Sequence, residues 1–207
     1  MACAARGHRF SARSERGFTL IEALIAFVIL SVGLLGIVSL QAMAKTSQHL
    51  ALQHTRAVTL ADAIVERIRV NPAGIEAYDI GTANAVGETP SAEPNPDCRT
   101  AACTPTELAL HDLWTWEQAL LGAGAKVGAE NTAGLIAPRG CIVFTPAPDR
   151  TRTGQLSVII QWRGLQESYD AVQGGEVVCG SDAGAAGTDK YRRQVVTNTY
   201  VVDEEEF

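Results

Sequence analysis

Three hydrophobic rhythms follow one another along the chain. Residues 18–40 read FTLIEALIAFVILSVGLLGIVSL, apolar on every side of a helix, and residues 18–44 carry one charge, Glu22. At ~1.5 Å per residue the apolar run makes a helix of roughly 35 Å, enough to cross the hydrocarbon core of a bilayer. The pattern then becomes one-sided. Leu50, Leu52, Val58, Leu60, Ala61, Ile64, Val65 and Ile68 recur at spacings that form one apolar stripe, and Gln48, Gln53, Arg56, Asp62, Glu66 and Arg69 fill the other side. Asn71-Pro72 ends the run, because proline disfavours helix in the residue before it. The predicted helix runs from residue 18 to about residue 70, ~80 Å at the helical rise. Gly33 and Gly36 interrupt its first half, each costing about 1 kcal/mol relative to alanine. They mark either a bend or extensible stretch, or a place of close helix packing.

Beyond Pro72 the third rhythm is mixed. Residues 73–103 have no sustained period and read as a long loop, which calls for a staple. Thr104-Pro105-Thr106-Glu107 is a capping box that opens a second helix. Leu108, Leu113, Trp114, Trp116, Leu120 and Leu121 give this helix large apolar contacts, and Gly122 closes it. Residues 141–145 (CIVFT) and 156–162 (LSVIIQW) flank a Pro/Asp/Thr/Gly turn and predict an antiparallel pair, with residues 194–202 (QVVTNTYVV) a third strand. Residues 164–190 read as a Gly-rich irregular stretch and residues 203–206 as a solvated acidic tail. Strands gathered after helices predict an α+β domain.

Charge narrows the function classes. Without residues 1–17, which hold four arginines and one glutamate, the chain keeps 13 of its 17 basic and 22 of its 23 acidic residues, a net charge of −9. Phosphate binding needs a cationic surface, so nucleic acid is not an expected partner. A local patch at Arg150 and Arg152 is the one place to test that, its ordinary reading being a solvated turn. Cys3 lies in the basic leader, leaving Cys98, Cys103, Cys141 and Cys179. An even set in an exported body suggests two disulfides, with three possible pairings; Cys98–Cys103 and Cys141–Cys179 are favoured. Zinc is the competing reading, disfavoured by the lack of a C-x-x-C pair, so no metal and no cofactor are expected.

Catalytic signals are weak. His49 and His54 are five apart, wrong for two ligands on one helix face, and His111-Asp112 reads as a surface or cap pair. Gly122, Gly124, Lys126 and Gly128 have the composition of a phosphate loop but follow a helix rather than a strand. No nucleophile with a base is apparent. The sequence predicts no enzyme.

The arginines before the apolar run and the acidic body after it orient the helix, with residues 1–17 cytoplasmic and the remainder outside. A cleaved signal peptide competes, since Ala42-Met43-Ala44 fits an A-x-A site, but its apolar core would be only roughly 7–15 residues and uncharged. A plain one-pass anchor gives no reason for Glu22. A carboxylate in hydrocarbon costs on the order of 2.5–3.5 kcal/mol. Cleavage between Gly17 and Phe18 would create a cationic amine one helical turn away, able to pair with Glu22 of the same subunit or of a neighbour.

Arg16-Gly17-Phe18-Thr19-Leu20-Ile21-Glu22 resembles the class III signal of type IV pilins and type II secretion pseudopilins. The resemblance implies that prepilin peptidase cuts between Gly17 and Phe18, that Phe18 is N-methylated and that Glu22 docks the subunit. Residues 31–36 (SVGLLG) with Leu40-Gln41, residues 61–72, Asp112-Leu113-Trp114 and Gly122-x-Gly124 resemble the PilV-type minor pilins, or type IV pilus modification proteins, with Ile68 where that family tends to have Met. The implied organisation is a type IV pilin-like fold: leader 1–17, transmembrane or filament-core helix 18–44, amphipathic helix 45–72 and a periplasmic α+β head 73–207 that Trp114 and Trp116 stabilise. The implied partners are other minor and major pilins and the inner-membrane assembly platform. The implied location is the inner membrane before assembly and the pilus surface afterwards. The alternatives are a type II secretion minor pseudopilin and, from another class, a secreted periplasmic or surface binding protein.

Overall fold

The computed structural model describes residues 17–128, 130–167, 179–180 and 189–207. Contacts divide the chain into two units, Met1–Lys45 and Thr46–Phe207. Helix α1 covers Leu20–Val70 without a break, passing straight through Gly33 and Gly36. In the first unit no residue from 18 to 45 is buried, and the helix is long and apolar enough to cross a membrane.

In the second unit α1 buries a narrow stripe, Gln53, Ala57, Ala61, Ile64, Val65 and Ile68. Two details differ from the expected stripe. Leu52 is half exposed, whereas Gln53, expected on the polar side, is buried and meets His49 Nε2 at 3.1 Å. The spacing from Gln53 through Ala57 to Ala61 and Ile64 is four, four and three, so the true stripe lies one residue round from the one leucine marks.

The stretch read as a loop carries structure. After a 3₁₀ turn at Pro72–Gly74 come a short helix α2 at Ile75–Tyr78 and strand β1 at Gly81–Val86. Helix α3, Pro105–Leu120, starts at the predicted capping box: Thr104 accepts from the Glu107 backbone, and Glu107 accepts from the Thr104 N–H at 2.8 Å. Gly122 leaves it with φ +75°. A Cβ there would strike the Gly134 backbone at 2.0 Å, so only glycine fits this crossing. The chain then forms a small hairpin, β2 (Lys126–Val127) with β3 (Glu130–Asn131), rather than a phosphate loop.

Strands β4 (Arg139–Pro146), β5 (Gly154–Arg163) and β6 (Arg192–Val201) complete an antiparallel four-stranded sheet in the order β1-β4-β5-β6. Register is set by alternation. Ile142, Leu156, Val158, Ile160 and Trp162 join α1 and α3 in the main core, while Cys141 and Ile159 turn to the other face and pack with Cys179. The fold is therefore α+β, a long apolar N-terminal helix followed by a small antiparallel sheet. Of the predicted irregular stretch 164–190, most lies outside the described residues.

One junction locks three elements. The Trp116 indole donates to the Leu60 carbonyl of α1 at 2.9 Å, and its ring presses on Gly140 of β4, where a Cβ would come within 2.5 Å. Trp114, by contrast, is only half-buried.

Candidate functional site

The residues singled out at the N-terminus lie at the start of α1. Gly17, Phe18 and Thr19 have no regular structure and are exposed, and a Cβ at Gly17 would meet nothing within 4 Å. The bond between Gly17 and Phe18 therefore lies in exposed backbone outside the helix. Thr19 stands at the N-cap: the Glu22 and Ala23 N–H groups donate to its carbonyl at 3.1 and 3.2 Å, and the Glu22 N–H also lies 3.4 Å from its hydroxyl. Thr19-x-x-Glu22 is thus a cap signature that the sequence carried unremarked. Glu22 falls in the first helical turn, where the N-terminal dipole favours a negative charge.

Around Glu22 the surface is uniformly apolar and uncovered. Phe18, Leu20, Ile21, Leu24 and Ile25 are all more than half exposed. A soluble chain does not leave such a surface in water. Such a surface calls for lipid or another protein to cover it.

The four body cysteines are joined as Cys98–Cys103 and Cys141–Cys179, with Cα–Cα distances of 5.6 and 5.7 Å. The first closes the segment just before α3; the second ties β4 to residue 179 on the outer sheet face.

Several buried polar groups of the head are engaged in structure. His111 and Asp112, expected as a surface or cap pair, are buried. Asp112 accepts from Tyr78 Oη and from Arg67 Nη1, each at 2.6 Å, tying α3 to α2 and α1. Burial first, and then the hydrogen bond to Asp112, raise the Tyr78 pKa well above its ordinary value. Glu117 is buried too and accepts from the Gly87 and Ser91 N–H groups at 3.0 and 2.9 Å, pinning the loop after β1. His54 meets the Trp162 ring edge-on at 6.2 Å, which makes it a packing residue.

The acidic stretch 203–206 is no free tail. Asp203 is buried and pairs with Arg152 Nε at 2.9 Å. Glu206 accepts from the backbone N–H groups of Thr151 and Arg152 at 2.8 and 2.9 Å. Desolvation pushes the Glu206 pKa up, but these bonds together with Thr153 and Thr151 hydroxyl donors outweigh it and hold it at about 2. Arg150 lies over the Phe207 ring at 4.0 Å. The supposed basic patch is consumed by a clasp between the β4–β5 turn and the last residues.

Family comparison completes the picture. Residues 12–38 match the family model of the prokaryotic N-terminal methylation motif, and residues 39–114 match the Tt1218-like model, described as type IV pilin Tt1218. Both matches support a type IV pilin. Comparison with curated proteins and with solved structures returned no match. A pilin is a structural subunit, not an enzyme, and a pilin with a prepilin leader implies processing by prepilin peptidase and assembly with other pilins. The motif and the long apolar helix fit a membrane-anchored pilin.

Proposed function

We propose that the chain is a minor pilin of the PilV type, made as a precursor with leader 1–17 and cut between Gly17 and Phe18. Before assembly it is a single-pass inner-membrane protein with its head, residues 73–207, on the periplasmic side. Afterwards it is a filament subunit that helps to start or stabilise assembly among other low-abundance pilins. The observation that supports this most directly is Glu22, the one charge in an otherwise apolar, uncovered helix segment. A carboxylate there is costly in lipid and gains a counter-charge once an amine is freed at Phe18.

The test is mass spectrometry of the mature N-terminus. The expected result is a chain that begins with N-methylated Phe18. A chain that begins at Lys45, or one that keeps the arginine leader, overturns the proposal. Quantifying the mature chain in sheared filaments then separates a minor pilin, present as a small fraction of subunits, from a subunit confined to a secretion pseudopilus.

A further inference from the structure

The head carries a group of donors that the pilin reading does not use. His111 lies in α3 beneath the loop that precedes it, with its side chain 8% exposed. Its Nε2 is buried and has no hydrogen-bond partner among the described residues. It points at Asp97 Oδ1, 3.3 Å away, and one donor atom each from Glu93, Asp97 and His111 lie within 4.8 Å of one another. We propose that Glu93, Asp97 and His111 bind a first-row divalent transition-metal ion, with zinc the fitting probe.

Four observations carry this. Two donor atoms each ~2.0–2.1 Å from a tetrahedral ion sit roughly 3.3–3.4 Å apart, the separation seen between His111 Nε2 and Asp97 Oδ1. An imidazole with two carboxylates suits zinc and its neighbours, whereas calcium and magnesium prefer all-oxygen sets. The frame is rigid on one side: the Cys98–Cys103 disulfide follows Asp97 directly, and the N–H groups of Thr100 and Ala101 both donate to the Asp97 carbonyl at 3.0 Å. Glu93 is the adjustable ligand, with its side chain 40% exposed.

The resident counter-ion is Arg99. Its guanidinium contacts Glu93 and bonds Asp97 Oδ1 and Oδ2 at 2.9 and 3.1 Å, and its backbone N–H donates to Asp97 Oδ1 at 3.0 Å. Two carboxylates against one guanidinium leave a negative charge uncompensated. Arg99 also lies 5.9 Å from the Trp114 ring centroid, a surface that can hold a displaced guanidinium. Arg99 is therefore a competitor for the site, not a ligand in it.

Calorimetric titration of Zn²⁺ into the metal-stripped full chain in detergent tests the proposal. One equivalent binds in the native chain; Glu93→Gln, at an exposed position where folding is not at risk, and His111→Ala each weaken it at least about tenfold. Arg99→Ala tightens it. Absence of saturable binding at one equivalent, or binding untouched by Glu93→Gln, overturns the proposal. Binding lost in His49→Ala rather than His111→Ala does so as well.

Discussion

The two units of this chain are stabilised in opposite ways. The head closes on itself: its helix stripe meets a sheet, its buried Asp112 has an arginine and a tyrosine, its loops end in disulfides, and its last residues fasten to a turn. Among the described residues, none from 18 to 45 is buried. Their large apolar side chains are exposed, a surface that calls for lipid or another protein to cover it. The lesson is that burial missing within one chain is information about its surroundings.

Substitutions break that comparison from either side. The largest effect on assembly is expected for Glu22→Ala. Leader cleavage and head unfolding stay as in the native chain, while incorporation into sheared filaments drops about tenfold or more, since an ion pair worth only about 1.4 kcal/mol would account for tenfold. Native levels of incorporation would overturn the proposed docking role of Glu22. Asp112→Ala is the mirror image. It strips the buried Tyr78 hydroxyl of its acceptor and the partly exposed Arg67 of its partner, and costs the head about 1–3 kcal/mol by chemical denaturation, with leader cleavage unchanged. A loss below about 1 kcal/mol would show that the network is dispensable.

The smallest effect sharpens the head's account of itself. The folded-state pKa of Glu206 is depressed to about 2 from 4.5. Its contribution is therefore complete above pH 4.5 and is lost as pH falls from 4.5 towards 2. Glu206→Gln flattens this acid limb in a stability–pH profile. An acid limb unchanged by the substitution would mean that other carboxylates set it.

Much of this was legible in the sequence, for physical reasons that also explain the misses. The long helix, the capping box at Thr104 and Glu107, and the strand pair β4–β5 are written in short-range periodicity and local hydrogen bonding, which neighbouring residues determine by themselves. Strand β1 was not legible: Gly-Thr-Ala-Asn-Ala-Val is poor in β-branched residues, and it pairs only at the sheet edge with a register shift. Polarity alone places Gln53 on the polar side of its helix and makes His111-Asp112 read as a surface or cap pair. Their burial depends on partners far along the chain, such as Tyr78 and Arg67 for Asp112. The acidic run 203–206 misled in the same way, since its partners Thr151 and Arg152 are some fifty residues earlier. At the N-terminus, Gly17, Phe18 and Glu22 stand out as residue types, while the Thr19 cap became visible only with the helix start.

The indole of Trp116 gives this head a built-in optical gauge. Because one ring is held by the Leu60 carbonyl and by Gly140, separating α3 from either α1 or β4 brings water to it and reddens its emission. Trp114, half-buried beside His111 and Arg99, reports instead on the loop above α3. Difference spectra of the native chain against Trp116→Phe and against Trp114→Phe would isolate a signal for the core and a signal for its rim, since the buried Trp162 is common to all three.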